Sequence, residues 1–193
     1  MKSYDLKGSV RTIAERSSEQ TKALKAMRRN NGVPCVLYGG EKNINFCVAN
    51  ADLRKLVYSP DIHYVNLNID GEAHVAIIRE IQFHPVKDTI LHMDFLEINE
   101  QKPIIMEVPL KLVGLAAGVK AGGKMRQLMR TLKAKGIYTN IPEVLTIDVT
   151  EMGLGKAKKV ADLSYENLEL VNPKTAVVCM VAATRQSKDN AAQ

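Results

Sequence analysis

Asp70-Gly71 is the sequence feature that most limits how this chain can fold. It separates two runs in which apolar and polar residues alternate, at 63–69 and 72–84. Alternation predicts strands with one buried face, and Asp-Gly between two such runs is a strong signal for a tight antiparallel hairpin. The middle of the first half of the chain is therefore predicted to be β-sheet.

The segment before this hairpin changes from helix to strand within twenty residues. Residues 22–31 combine Lys and Arg with apolar residues at helical spacing, and Gly32 is a natural helix stop. An apolar run follows and ends in Tyr-Gly-Gly at 38–40, which predicts a strand and a turn. With a further strand at 90–97, the first half is strand-rich and has a few helices.

The second half predicts a mostly-β domain. Strands are expected at 104–113, 144–149, 168–171 and 175–182, and residues 125–135 are ambiguous between helix and strand. Proline inside the first of these runs places it at an edge or a bulge. The predicted organisation is an N-terminal β-barrel domain at 1–98, a mostly-β C-terminal domain at 99–184 and a flexible tail at 185–193.

Charge is distributed unevenly around a net value of +6. Residues 1–40 carry eight Lys or Arg and three Asp or Glu, and residues 102–135 carry eight and one. The stretch between them, 41–100, has five basic and ten acidic residues. Two basic blocks favour local contact with a polyanion, although a merely soluble basic protein would show the same totals.

Two motifs invite an enzymatic interpretation. Residues 118–125 match the Gly-x4-Gly-Lys spacing of a phosphate-binding loop, but Met125 stands where Mg²⁺ needs a hydroxyl. A Gly-rich turn carrying Lys120 and Lys124 is favoured. His92 and Asp94 share one strand face, and could be a solvated polar pair, a nucleic-acid contact, or an acid–base pair or partial metal site.

Arg79 breaks the alternation of its strand. It shares parity with apolar residues, so regular geometry would bury its charge at high cost. A β-bulge that redirects it, or an exposed polar face, would resolve the conflict. A structural role and a ligand contact both remain open for Arg79.

Other signatures of catalysis or cofactor binding are missing from the sequence. It has no Gly-x-Ser-x-Gly, His-Glu-x-x-His or Cys-x-x-Cys motif, and its three cysteines are far apart in apolar runs. It contains no apolar run of the length that a membrane span requires. We expect no cofactor, no metal site, no small-molecule substrate and no membrane partner.

Short motifs give the chain a family resemblance. Val-Pro-Cys-Val-Leu-Tyr-Gly-Gly (33–40), His-Pro-Val-Lys (84–87) and Leu-His-Met-Asp-Phe (91–95) resemble a bacterial large-subunit ribosomal protein that binds 5S rRNA. Residues 108–123 and 141–150 resemble the second domain of its long form, the general stress protein CTC family. The resemblance spans roughly residues 5–182.

The resemblance implies a non-catalytic, cytoplasmic component of the large ribosomal subunit, in contact with neighbouring ribosomal proteins. Its N-terminal barrel would bind an irregular internal loop of 5S rRNA, largely through the widened minor groove. A stress-induced ribosome-associated regulator and a His/Asp-dependent nuclease or hydrolase are the alternatives. The family's RNA-contact positions correspond here to Arg11, Lys22, Lys25, Arg28, Tyr38, Arg79, His92 and Asp94.

Overall fold

The chain divides into two compact units, Met1–Lys102 and Pro103–Gln193. The computed structural model describes residues 2–11, 18–59, 61–99 and 102–184. The tail predicted at 185–193 lies outside the described residues. Each unit has its own set of buried side chains.

The first unit is a closed β-barrel with helices. Its elements are β1 (Lys2–Val10), α1 (Ser18–Arg29), β2 (Gly32–Tyr38), β3 (Ile44–Ala49), α2 (Asn50–Val57), β4 (His63–Ile69), β5 (Glu72–Phe83) and β6 (Ile90–Glu97). The strands follow the order β1-β3-β2-β6-β5-β4 around the barrel. Parallel pairing of β1 with β4 closes the sheet, and β2 is also parallel to β6.

The predicted hairpin joins β4 to β5. Asp70 and Gly71 have φ angles of +50° and +100°, and two successive positive values are typical of the type I′ turns that suit the twist of paired strands. The register sets Ile69 opposite Glu72. Asp70 also joins the turn to β1, because its Oδ2 accepts a hydrogen bond from the backbone N–H of Val10 at 3.0 Å.

The barrel interior is apolar and closely packed. Phe46 of β3 and Phe95 of β6 are both fully buried, with ring centroids 5.6 Å apart and planes inclined at 44°. α2 contributes Leu53 and Leu56 to the same core. Inward positions are therefore used for packing, which leaves the outward positions of the strands for a partner.

The second unit confirms the mainly-β character predicted for the chain. Its elements are β7 (Ile104–Val113), α3 (Ala117–Lys120), β8 (Lys124–Gln127), β9 (Thr131–Gly136), β10 (Leu145–Asp148), β11 (Ala157–Lys159), β12 (Glu169–Leu170) and β13 (Val177–Ala182). They form one sheet in the order β10-β7-β9-β12 and another in the order β11-β13-β8. Nowhere in the described ranges is a helix long and apolar enough to cross a membrane.

Strand register explains how β7 accommodates its proline. β7 pairs with β9 over Ile104–Pro109 and with β10 only from Leu110 onwards. Pro109 thus ends the stretch that has a single neighbour, where a missing N–H disturbs the sheet least. The strand is interior as a whole, and the proline lies where it is locally an edge.

The Gly-rich stretch 118–125 runs from α3 through a short turn into β8, and is not a phosphate-binding loop of the P-loop kind. Lys124 begins strand β8, whereas the lysine of a P-loop lies at the start of a helix. Gly118 packs tightly against the chain at Gly153, where an added Cβ would lie 2.6 Å from the backbone. The ambiguous residues 125–135 fall mainly in β8 and β9, separated by a short turn.

Candidate nucleic-acid interface

Helix α1 presents a row of cations to solvent. Lys22, Lys25 and Arg28 are exposed, whereas Leu24 and Met27 on the other side of the helix are half-buried. Gly32 permits this close packing, because a Cβ added there would lie 3.0 Å from Cγ of Met27. The apolar stripe predicted from helical spacing therefore faces the barrel and leaves the basic side free for a polyanion.

Arg28 fixes the end of this helix to the barrel wall. Its Nη2 donates a hydrogen bond to the backbone carbonyl of Leu91 at 3.1 Å. Leu91 is an extra residue in β6, since Gln82 pairs with His92 and Phe83 pairs with Ile90. The irregularity interrupts the ladder at this carbonyl, and the contact brings the basic helix next to His92.

His92 and Asp94 form a directed pair on the outer face of β6. Nδ1 of His92 lies 2.8 Å from Oδ1 of Asp94, and the two side chains are 28% and 26% exposed. An ionised carboxylate can only accept, so Nδ1 of His92 is the donor in this contact, and the pair does not use the other ring nitrogen, Nε2. The pair offers hydrogen-bonding atoms of fixed direction to a groove rather than a mobile charge.

Tyr38 lies on the neighbouring strand, on the same side of the sheet. The parallel register of β2 and β6 pairs Val36 with Asp94 and Tyr38 with Leu96. Gly39 follows in a left-handed conformation, with φ of +97° and no room for a Cβ beside the Leu96 side chain. Tyr38, whose phenol is half-buried, therefore lies beside Leu96, two residues along β6 from Asp94.

Arg79 occupies a β-bulge. This is one of the two arrangements predicted from the sequence to keep its charge out of the core. Ile78 pairs with Phe95 and Glu80 with Asp94, so Arg79 is the additional residue in β5. The bulge reverses the alternation: Ile81 packs against the core, while Arg79 and Glu80 are exposed. Arg79 is therefore presented beside Asp94 without placing its charge in the core.

Arg11 lies at the other edge of the same face. Its backbone N–H donates to the carbonyl of Asn45 at 2.7 Å, and its Nε is buried without a hydrogen-bond partner. Burial raises the pKa of the Cys35 and Cys47 thiols, and the nearby positive charge of Arg11 partly opposes that rise. The guanidinium is thus held against the sheet and retains unused donor capacity.

A single lateral row connects these residues across four strands, β3, β2, β6 and β5. Register places Asn45 opposite Val36, Val36 beside Asp94, and Asp94 opposite Glu80. We name the outward surface around this row the polar sheet face. Its members are Arg11, Tyr38, Asn45, Arg79, Glu80, Gln82, His92 and Asp94.

Three members of the polar sheet face were not predicted from the sequence. Asn45, Glu80 and Gln82 lie on the outer wall through their pairings with β2 and β6. Asn45 stood between apolar neighbours and could have been found from strand alternation alone. Glu80 and Gln82 depend on the bulge at Arg79, which fixes their direction and cannot be located from alternation.

The structure does not support metal chemistry at the polar sheet face. Among the residues described, no group of three His, Cys, Asp or Glu side chains is arranged to hold a metal ion. His92 and Asp94 are only a pair, flanked by Glu80 and by the cations of α1. Fixed donors and acceptors beside a basic helix suit recognition of RNA by groove shape and 2′-hydroxyls.

Comparison with protein-family models matches both units. Residues 9–95 match the Ribosomal L25p family, and residues 103–185 match the model described as Ribosomal protein TL5, C-terminal domain. The first match covers nearly all of the barrel, including every residue of the polar sheet face.

Curated relatives match along the full length of the chain. Large ribosomal subunit protein bL25 of Bacteroides fragilis is 61% identical over 192 residues, covering 100% of this chain and 98% of that protein. The protein of the same name from Bacteroides thetaiotaomicron is 58% identical with the same coverage. That of Porphyromonas gingivalis is 47% identical over 190 residues, covering 97% of this chain and 96% of the relative.

Fold and relatives together define a structural protein of the large ribosomal subunit rather than an enzyme. The chain belongs to the Ribosomal L25p family, in the long form that carries a TL5-type C-terminal domain. The nuclease or hydrolase hypothesis for His92 and Asp94 is therefore wrong. Their geometry serves binding or structure and not turnover.

Proposed function

We propose that this chain binds 5S rRNA at an irregular internal loop and anchors it in the large ribosomal subunit of the cytoplasmic ribosome. The polar sheet face and helix α1 together form the contact. The binding is structural and needs neither cofactor nor metal. The family membership supplies the ribosomal context, and the geometry of the barrel wall supports the choice of surface.

The observation that carries this proposal is the bulge at Arg79 beside the His92–Asp94 pair. A bulge next to a 2.8 Å side-chain pair sets a cation, a ring nitrogen and a carboxylate on one outward patch. Binding to phosphates alone requires only positive charge, whereas this patch also has hydrogen-bond donors and acceptors of fixed direction. It suits the wide, shallow minor groove of RNA, where base edges and 2′-hydroxyls are displayed.

Two kinds of contact follow from position and chemistry. Lys22, Lys25 and Arg28 are exposed on a helix flank and would neutralise phosphates. Asp94 would accept from 2′-hydroxyls or base amino groups, because a carboxylate is repelled by phosphates. Four further residues would contact the groove or position those that do: Arg11, Tyr38, Arg79 and His92.

A titration with two RNAs tests the proposal. The full chain is titrated against 5S rRNA and against a 5S rRNA whose irregular internal loop is replaced by a regular duplex. We expect tight binding to the first and only weak, strongly salt-dependent binding to the second. Equal affinities for the two RNAs would contradict recognition of the loop.

Lys25→Gln is expected to reduce the salt dependence of 5S rRNA binding. Loss of one phosphate contact should lower the slope of log K against log salt by about 0.7–0.9. The slope is measured by repeating the titration over a series of KCl concentrations. Lys55→Gln, on the exposed side of α2, is the matched control. An unaltered slope for Lys25→Gln would remove it from the phosphate contacts.

A further inference from the structure

The basic block of the second unit is not one uniform surface. Lys133 and Lys135 on β9 lie 3.6 Å from Glu107 and 3.0 Å from Glu169, so their charges are partly neutralised. Lys124 and Arg126 on β8 are exposed and have no ion-pair partner among the described residues. The charges available to a partner are therefore concentrated on β8.

Strand register puts these cations on one face of the sheet β11-β13-β8. Lys124 lies opposite Ala182, and Arg126 opposite Met180. On the far strand, Ala157 pairs with Met180, whereas a register shift between Lys158 and Lys159 sets Lys159 opposite Val177, outside the row of Met180 and Ala182. We name this surface the basic sheet face, and its members are Lys124, Arg126, Ala157, Met180 and Ala182.

The opposite face of the same sheet is inward. Cys179 and Val181 are fully buried, and Lys158 donates to the backbone carbonyl of Asp148 at 2.8 Å. The alternation of β13 thus assigns the half-buried Met180 and Ala182 to the outer side, together with Val178, which is fully buried. The exposed part of this outer side is therefore its β8 edge, where Lys124 and Arg126 lie.

The chain around this face contains no acidic residue. Segments 117–136, 152–161 and 173–184 include every strand of the sheet, and together hold ten Lys or Arg and no Asp or Glu. Asp162 lies just beyond, where its Oδ2 accepts a hydrogen bond from the backbone N–H of Lys159. Lys133 and Lys135 are ion-paired, and the remaining cations create a local positive potential that favours a polyanion.

The basic sheet face is also held in place by packing. Gly123, just before Lys124, approaches Leu154 so closely that an added Cβ would lie 2.6 Å from its Cδ2. The backbone N–H of Gly155 donates to the carbonyl of Val181 at 2.9 Å. These contacts fix the start of β8 against β13, so Lys124 and Arg126 have defined positions rather than belonging to a loose basic segment.

We propose that the basic sheet face binds the phosphate backbone of ribosomal RNA, as a second RNA contact separate from the polar sheet face. RNA is favoured over a protein partner because the basic sheet face has no aromatic side chain, and protein interfaces are enriched in aromatic residues. Apart from Met180, which is half-buried, the nearest exposed large apolar residue in the chain is Leu128, 57% exposed just after β8. The inference needs the chain's place in the large subunit but does not depend on 5S rRNA binding.

The test uses the full chain carrying Lys124→Gln and Arg126→Gln together. Binding is measured to large ribosomal subunits purified without this protein, and separately to free 5S rRNA, each over a series of KCl concentrations. The double variant should bind subunits more weakly, with a salt slope reduced by about 1.4–1.8 for two lost phosphate contacts. Binding to free 5S rRNA should not change.

Lys133→Gln with Lys135→Gln is the matched control, because it removes the same charge from ion-paired positions. A control that lowers the subunit slope as much as the test variant would overturn the proposal. So would weaker subunit binding at an unchanged slope, which would indicate a protein partner. Failure of the wild-type chain to bind free 5S rRNA would contradict the proposed function alone, since the subunit titration would still report on this face.

Discussion

Arg79→Ala is expected to weaken binding of 5S rRNA by about 1–3 kcal/mol, the cost of losing one directed contact to a nucleic acid. The side chain is exposed on the bulge of β5, next to the pairing of Glu80 with Asp94. Truncation there removes a positioned guanidinium and leaves the barrel core untouched. The affinity is measured by titration of 5S rRNA at a fixed salt concentration.

Arg54→Ala is the control for this variant. Arg54 is an exposed arginine on α2 and is not part of the polar sheet face, so its loss changes the net charge equally. It should reduce affinity only slightly. Wild-type affinity for Arg79→Ala, or equal losses for the two variants, would show that Arg79 is not a contact residue.

Phe95→Ala is expected to destabilise the barrel by about 3–5 kcal/mol. The ring is fully buried and packs 5.6 Å from that of Phe46, so truncation leaves a cavity between β6 and β3. The midpoint of urea unfolding, followed by circular dichroism, should fall sharply. Phe95 is next to Asp94 in β6, so loss of the folded barrel also removes the polar sheet face. The variant should therefore lose affinity for 5S rRNA.

Phe83→Ala tests whether this cost comes from burial. Phe83 ends β5 and is 42% exposed, so the same change of side chain removes much less packing. Its unfolding midpoint should remain close to that of the wild-type chain. Equal destabilisation by the two substitutions would contradict the assignment of Phe95 to the core and of Phe83 to the rim.

Local features of the barrel could be predicted because they depend on neighbouring residues. Asp70-Gly71 and the alternating runs around it determine a hairpin by turn chemistry alone. Closure of the barrel could not be predicted in the same way. It depends on parallel pairing of β1 with β4 and of β2 with β6, between segments more than fifty residues apart, and no short-range signal encodes those registers.

The candidate site shows the same limit. Spacing predicted that His92 and Asp94 share a face, and the cost of burying a charge predicted that Arg79 needs a bulge or an exposed position. The resemblance to a known family supplied Arg11, Tyr38 and the helix cations. Neither source indicated Gln82, because its place on the polar sheet face follows from the bulge at Arg79 and from cross-strand register, whereas alternation in β3 would have been enough to find Asn45.

In the second unit, composition indicated positive charge but not its availability. The stretch 120–135 has no acidic residue, and its sequence gives no reason to treat one lysine differently from another. Glu107 and Glu169, which lie near Lys133 and Lys135, come from distant parts of the chain. Ion pairs formed in the folded structure thus distinguish the lysines whose charge is neutralised from the cations that a partner can bind.

The central claim is that the barrel unit itself recognises 5S rRNA. Its most direct test is a 5S rRNA titration of residues 1–102 compared with the full chain, with folding of the fragment verified by circular dichroism. This fragment retains Ile98, which is buried and whose backbone N–H donates to the carbonyl of Val75 at 2.9 Å. We predict that fragment and full chain bind with the same affinity. A folded fragment that fails to bind 5S rRNA would contradict the claim.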